Sequence, residues 1–183
     1  MKGNLVAYVL RLSLTLLLIT AVVAAALAGV NSVAEPHIQA HKAEKMRLAM
    51  EEVLPGATGL AEVAFTDASG MVNKVYASAD GYVVDVSPSG FGGAISMMVG
   101  ILPDGSVSGI SIVSHTETAG LGSVAAAKTA AGEAFRSQFV GLTGNVAVDK
   151  DGGTIDSITS ATITSRAVAN GVNAALECVK NLG

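Results

Sequence analysis

The segment Asp156-Ser157-Ile158-Thr159-Ser160-Ala161-Thr162-Ile163-Thr164-Ser165 crowds hydroxyl side chains into one short stretch. Directly after it, Val168, Val172, Ala175, Leu176 and Val179 recur at helical spacing, with Arg166, Asn170, Asn173, Glu177 and Lys180 largely on the other side. That pattern predicts an amphipathic helix from Ser165 onward. A helix start leaves backbone N–H groups without partners and carries the positive end of the macrodipole, so an anionic phosphate is stabilised there. Arg166 could add a charge-assisted hydrogen bond. A threonine hydroxyl is a weak nucleophile, and no His or Lys lies within a few residues of Thr162 to deprotonate it. A covalent bond from this segment to a phosphorylated ligand therefore calls for a separate transferase. The same run also reads as an ordinary N-cap with spare hydroxyls, because Ser and Thr are favoured at helix starts.

A second segment carries functional groups. Ser114-His115-Thr116-Glu117-Thr118-Ala119-Gly120-Leu121-Gly122 follows the strand-like Gly109-Ile110-Ser111-Ile112-Val113 and ends in two close glycines. Alone, His115 and Glu117 read as an exposed turn, since a metal site needs more ligands than one His and one Glu. Gly90-Phe91-Gly92-Gly93 lacks both the G-x-G-x-x-G and the P-loop spacing. It reads either as a bend or as a glycine-rich turn beside a ligand, with Phe91 as the nearest aromatic.

The two segments together resemble the FMN-binding domain family. The first is similar to its S-G-A-T-like attachment tetrapeptide preceded by Asp, and the second to its H-x-E-T-P-G-L-G loop. The resemblance implies flavin mononucleotide (FMN) carried as a phosphoester on Thr162. Around it would lie Thr159, Ser160, Ala161, Thr164 and Ser165, with His115, Glu117, Thr118, Gly120, Leu121 and Gly122 helping to form the pocket. A flavin transferase and further membrane subunits are the partners implied. Within the family the chain is most similar to the G subunits of Rnf-type ion-translocating complexes, which pass electrons between ferredoxin and NAD. The related sodium-translocating NADH:quinone oxidoreductases are the alternative. The expected role is a redox carrier, with Glu117 near the ring lowering the flavin potential. Two positions depart from the family pattern: Ala119 stands in place of proline, and Ser160 in place of glycine. The second matters if that position needs φ > 0.

The elements that hold these motifs begin with an anchor. Leu12 to Val30 carries no charge and is about the length that spans a bilayer. It exceeds the roughly 7–15 residues of a signal-peptide core, although Ala24-Ala25-Ala26-Leu27-Ala28 offers an A-x-A pattern. Lys2 and Arg11 before it place the N-terminal tail in the cytoplasm and the body outside, in a single-pass protein of the inner membrane. The expected organisation is residues 1–30 as tail and anchor, 31–58 as a juxtamembrane helix and 59–183 as one FMN-binding domain.

The body reads as α+β, with a mainly antiparallel sheet and flanking helices. Met46, Ala49, Met50 and Val53 give the helix Ile38 to Val53, stopped by Pro55-Gly56. Strands are expected at 60–66, 72–77, 81–87, 94–101 and 107–113, separated at hairpin distances by turns such as Pro103-Asp104-Gly105. A helix from Ser123 to Phe139 and a short strand from Val146 to Val148 should follow. A formal charge of −4 without Lys/Arg clusters argues against nucleic acid as a partner. The single Cys178 rules out an internal disulfide or a cysteine-ligated cluster within the chain. No nicotinamide fingerprint is present. Two other readings remain from the residues: an anchored binding module without flavin, and an anchored flavin reductase acting alone.

Overall fold

The computed structural model describes residues 2–182 and falls into two units, one ending at Glu44 and the other beginning at Lys45. Helix α1 runs unbroken over Lys2–Val53. The expected anchor and juxtamembrane helix are therefore one element. Pro36 lies inside it and removes one helical N–H donor, but its neighbours from Val33 to Met46 are rich in Ala, Glu and Lys, which are strong helix formers. Large apolar side chains from Tyr8 to Val30 are exposed on every side of this helix. It is long and apolar enough to cross a membrane, with a mean hydropathy of 2.4 in an 18-residue window.

The second unit is built on five antiparallel strands in the order β1-β2-β3-β4-β5. These are β1 Ala61–Val63, β2 Val72–Ser78, β3 Gly81–Val86, β4 Ser96–Ile101 and β5 Val107–Ser114. Only β1 is much shorter than the 60–66 expected. Alternation sends the cross-strand row Val63, Val75, Val84, Val99 and Ile110 to one face. That face packs on helix α3, Thr162–Lys180, through Val168, Val172 and Ala175. Val83 and Met98 point to the opposite face, beneath Ala49, Val53 and Leu54 at the end of α1. Both faces are thus covered, which is why β3 is apolar almost throughout.

The end of α1 is seated closely. Ser108 Oγ donates to the Val53 carbonyl at 2.5 Å, and Ser111 Oγ to Glu52 Oε2 at 2.6 Å. A Cβ on Gly100 would lie 2.3 Å from the Val53 oxygen. An orphan carbonyl at the helix end is thereby satisfied by the sheet rather than by water.

Three expectations are corrected. The single helix from Ser123 to Phe139 is two pieces, a 3₁₀ turn at Gly122–Ala126 and α2 at Ala130–Ser137. Ala127 is extended between them, Thr129 caps α2 by accepting from Gly132 N, and Arg136 Nη1 donates to the carbonyls of Ala125 and Ala127 at 2.8 and 3.0 Å. With those carbonyls satisfied by a side chain, the break carries little penalty. The strand at Val146–Val148 is one parallel bridge, Val148 to Ile155, because the Asn173 carboxamide pairs with both N and O of Val146 at 2.9 and 2.7 Å. The last helix starts at Thr162, not Ser165, so the hydroxyl run straddles the helix start.

Candidate functional site

The start of α3 has no side-chain cap. Its N-cap residue is Ala161, and no hydroxyl of the Ser/Thr run bonds the first-turn amides. The capping reading of the run is therefore not what the fold uses. The segment leading in is fixed from outside instead. Gln138 Oε1 accepts from Asp156 N at 2.7 Å while its Nε2 donates to Asp156 O at 3.3 Å. Asp149 Oδ1 accepts from Ser157 N at 3.1 Å, and hydrogen bonds from Ser157 and Lys150 hold that carboxyl well below the usual carboxylate range. Ser160 then adopts φ = 61°, the left-handed turn that delivers the chain into the helix.

These constraints sort the hydroxyls. Ser165 is buried, accepting from Ile158 N at 3.0 Å and donating to Ala161 O at 3.1 Å. Thr164 is 1% exposed and donates to Glu117 Oε2 at 2.5 Å. Thr159 turns toward a separate cavity beside Phe135 and Gln138, where Gly120 also lies. Ser160 and Thr162 remain, both lining a cavity of about 350 Å³ and neither hydrogen-bonded through its hydroxyl. Thr162 is half-buried and is the first residue of α3, where the first-turn amides have no side-chain cap.

Glu117 closes the other side. It is nine-tenths buried, its Oε1 accepts from Gly92 N at 2.9 Å, and its backbone N donates to His115 Nδ1 at 3.2 Å. A Cβ on Gly90 would meet Glu117 Oε1 at 2.3 Å, and one on Gly122 would meet both Glu117 Oε2 and Thr164 Oγ1 at 2.5 Å. The glycines of two segments are thus spaces for one carboxylate. His115 is half-buried and does not line the cavity, whereas Thr118, Leu121 and Gly122 do. Gly120 takes φ = 75° in the turn between them.

Phe91, Leu121 and Ile163 surround the opening at 68%, 41% and 49% exposure. The rim is apolar, and Glu117 is the one ionisable side chain among the lining residues. Arg166, expected to face a phosphate, is held elsewhere: its Nε and Nη2 each donate to an Asp151 carboxylate oxygen at 2.6 Å. A phosphate-sized anion at the helix start would thus meet amides and hydroxyls but no free cation among the lining residues. The cavity lies toward the small end of the ~300–1,000 Å³ typical of ligand sites, with an apolar rim beside the polar Thr162, Thr164 and Glu117.

Residues 90–177, spanning the Gly90 turn, the Glu117 loop and α3, match the FMN-binding domain family. The chain is 32% identical to the G subunit of an ion-translocating oxidoreductase complex from Methanosarcina acetivorans, covering 92% of this chain and 93% of that protein. It belongs to this family of FMN-binding G subunits. The corresponding G protein of the sodium-translocating ferredoxin:NAD(+) oxidoreductase complex of Acetobacterium woodii is 33% identical over 95% of the chain and 93% of its own length. A third relative, from a complex of Clostridium ljungdahlii named as proton-translocating, is 44% identical over 54% of the chain and 52% of its own length. Membership accords with the α1 helix and makes the chain a membrane electron-transport subunit with an FMN domain.

Sequence reasoning missed Ile163 at the rim and Gln138 behind the segment. Ile163 lies within the Ser/Thr run, where no spacing sets it apart from the core-facing residues of the helix. Gln138 falls inside the helix expected from Ser123 to Phe139, and nothing in its spacing signals that its carboxamide pairs with a main chain 18 residues away.

Proposed function

We propose that this chain is the flavin-carrying subunit of an ion-translocating ferredoxin:NAD oxidoreductase complex, with FMN held through its phosphate as an ester of Thr162 Oγ1. The observation that carries this reading is the position of Thr162: an unpartnered hydroxyl at the uncapped start of α3, facing the cavity rimmed by Phe91, Leu121 and Ile163. The names of the relatives supply the complex, and they differ over the ion.

A covalent link is favoured by the electrostatics. The first-turn amides amount to roughly half a positive charge. Glu117 contributes a carboxylate to the same end of the helix, and Arg166 is engaged by Asp151. An anion would be retained weakly here by charge alone, so a bond to Thr162 is what keeps the cofactor on the protein. Glu117, the one ionisable lining residue, already accepts from the Gly92 amide and the Thr164 hydroxyl through its two oxygens, so a separate transferase performs the attachment.

When bound, FMN supplies one- and two-electron redox chemistry. The chain's own residues position it. Thr162 would tether it, the first-turn amides of α3 would be available to its phosphate, and Phe91, Leu121 and Ile163 would offer an apolar surface to its ring. Glu117 puts a carboxylate within the same cavity, which disfavours added negative charge on a neighbour. The exposed rim would leave a bound ring accessible to an electron-transfer partner, as a relay protein requires. Lys2 and Arg11 ahead of the apolar stretch of α1 favour a domain on the extracytoplasmic side.

The test is acid denaturation of the purified protein, separation on a gel and inspection for flavin fluorescence, with Thr162→Ala alongside. A fluorescent wild-type band and a dark mutant are expected. A dark wild-type band from cells that make the transferase would reject the covalent reading.

A further inference from the structure

Glu117 joins three segments that are remote in sequence, and it does so beside the proposed attachment hydroxyl. Its Oε1 is tied to the Gly92 amide, its Oε2 to the Thr164 hydroxyl, and its own amide to His115. Gly90 and Gly122 each leave room for the carboxylate where a side chain would collide with it. A buried carboxylate is an expensive way to fill such a space, because apolar groups of the same shape commonly serve stability as well or better. Its charge also opposes an anion at this helix end, so attraction of the phosphate does not explain it either. What remains is geometry: both carboxylate oxygens are used, one on each side, with fixed directions.

The geometry points to Glu117 as the positioning residue of the attachment site. By holding Thr164 in the first turn of α3 against the Gly92 amide, it sets the direction in which Thr162, two residues earlier, presents its oxygen. It also occupies the Thr164 hydroxyl, so that one threonine of the pair faces the donor. This rests on the reading of Thr162 as the attachment residue.

The reaction it serves is a transfer from a flavin dinucleotide. The Thr162 oxygen forms a bond to the FMN-side phosphorus, the pyrophosphate P–O bond breaks, and the nucleoside monophosphate leaves. The hydroxyl proton passes to a base of the transferase, and nothing is oxidised or reduced. Misdirection of the attacking oxygen slows such a step without weakening recognition of the protein.

The full-length protein, with the transferase and flavin dinucleotide, would be assayed for attached flavin over time in wild type, Glu117→Gln, Thr164→Val and the double variant. We expect kcat to fall on the order of 10-fold in each single variant, with KM for the acceptor protein unchanged. The double variant should be no worse than the poorer single, because both remove one strut. Thr164→Ser keeps the donor and should restore the rate. Single-variant rates equal to wild type, an effect confined to KM, or additive losses would each overturn the proposal. If Glu117→Gln fails to fold, Thr164→Val and Thr164→Ser decide it alone. Labelling of Thr162→Ala, or none of wild type, would instead remove the attachment reading and this inference with it.

Discussion

Arg166 and Asp151 form a two-pronged ion pair, Nε to Oδ2 and Nη2 to Oδ1, each at 2.6 Å. The guanidinium pulls the Asp151 carboxyl below its usual range, and the carboxylate raises that of Arg166 in turn. The pair ties the loop at Asp151 to the start of α3 and keeps the cation out of the cavity. Both side chains are over 40% exposed, at 45% and 41%, so water and salt screen the pair. Arg166→Ala is accordingly expected to cause only a small loss of stability, shrinking as salt is added, and to leave flavin attachment at the wild-type level. Attachment assays on the variant that showed loss of bound flavin would mean that the guanidinium reaches the phosphate.

Ser160 stands at φ = 61°, a left-handed conformation that favours glycine. The left-handed conformation costs a non-glycine residue roughly 1–2 kcal/mol, while glycine returns about 0.4–1 kcal/mol to the unfolded chain as added entropy. Ser160→Gly should therefore stabilise the protein by about 0.5–1 kcal/mol, and Ser160→Val should destabilise it by more than ~1 kcal/mol. Urea midpoints of the two variants are the measurement. A glycine variant no more stable than wild type would show that the serine is not strained there.

The fold was legible where a pattern is local. Alternation and turn residues located the five strands, since Val75, Val84 and Val99 must share a buried face once the hairpins close. The two candidate segments could be picked out because each is a contiguous string, and the fold brings residues of both to one cavity. What was not legible depends on a side chain answering a distant main chain. Arg136 satisfies Ala125 and Ala127 and so permits a break in an otherwise helical pattern, and Asn173 takes both main-chain groups of Val146 in place of a strand partner. The helix start moved to Thr162 for a related reason. Capping rules look for a Ser or Thr outside the first turn, whereas here Gln138 and Asp149 fix the segment leading in and the Ser160 and Thr162 hydroxyls are left over.

Gly100 and Gly109 face each other across β4 and β5 under the end of α1. They are not equivalent. A Cβ at Gly100 would lie 2.3 Å from both the Val53 oxygen and Ser108 Oγ, while one at Gly109 would approach Val53 Cα at an ordinary 3.4 Å. Gly100→Ala should cost about 1–3 kcal/mol, the range for overpacking against backbone, and Gly109→Ala much less. Thermal unfolding of the two variants compares them directly. Equal losses would mean that strand glycine content, and not the seating of α1, sets the cost.

Asp85 lies on the α1 side of the sheet and is 8% exposed. Burial pushes its carboxyl above the ordinary 3.8, against the opposing effects of a hydrogen bond from Asn73 and the charge of Lys74. A raised value means that the folded state holds the proton more tightly than the unfolded chain. The charged carboxylate then costs stability above its folded pKa, and that cost vanishes below about 3.8, where both states are protonated. Asp85→Asn keeps the oxygen that accepts from Asn73 and removes the charge. It should melt higher than wild type at about pH 7, and the gap should close as the pH is lowered through the folded pKa toward about 3.5. Melting curves at the two pH values test this. A gap of the same size at both would place the effect in packing and not in the buried charge.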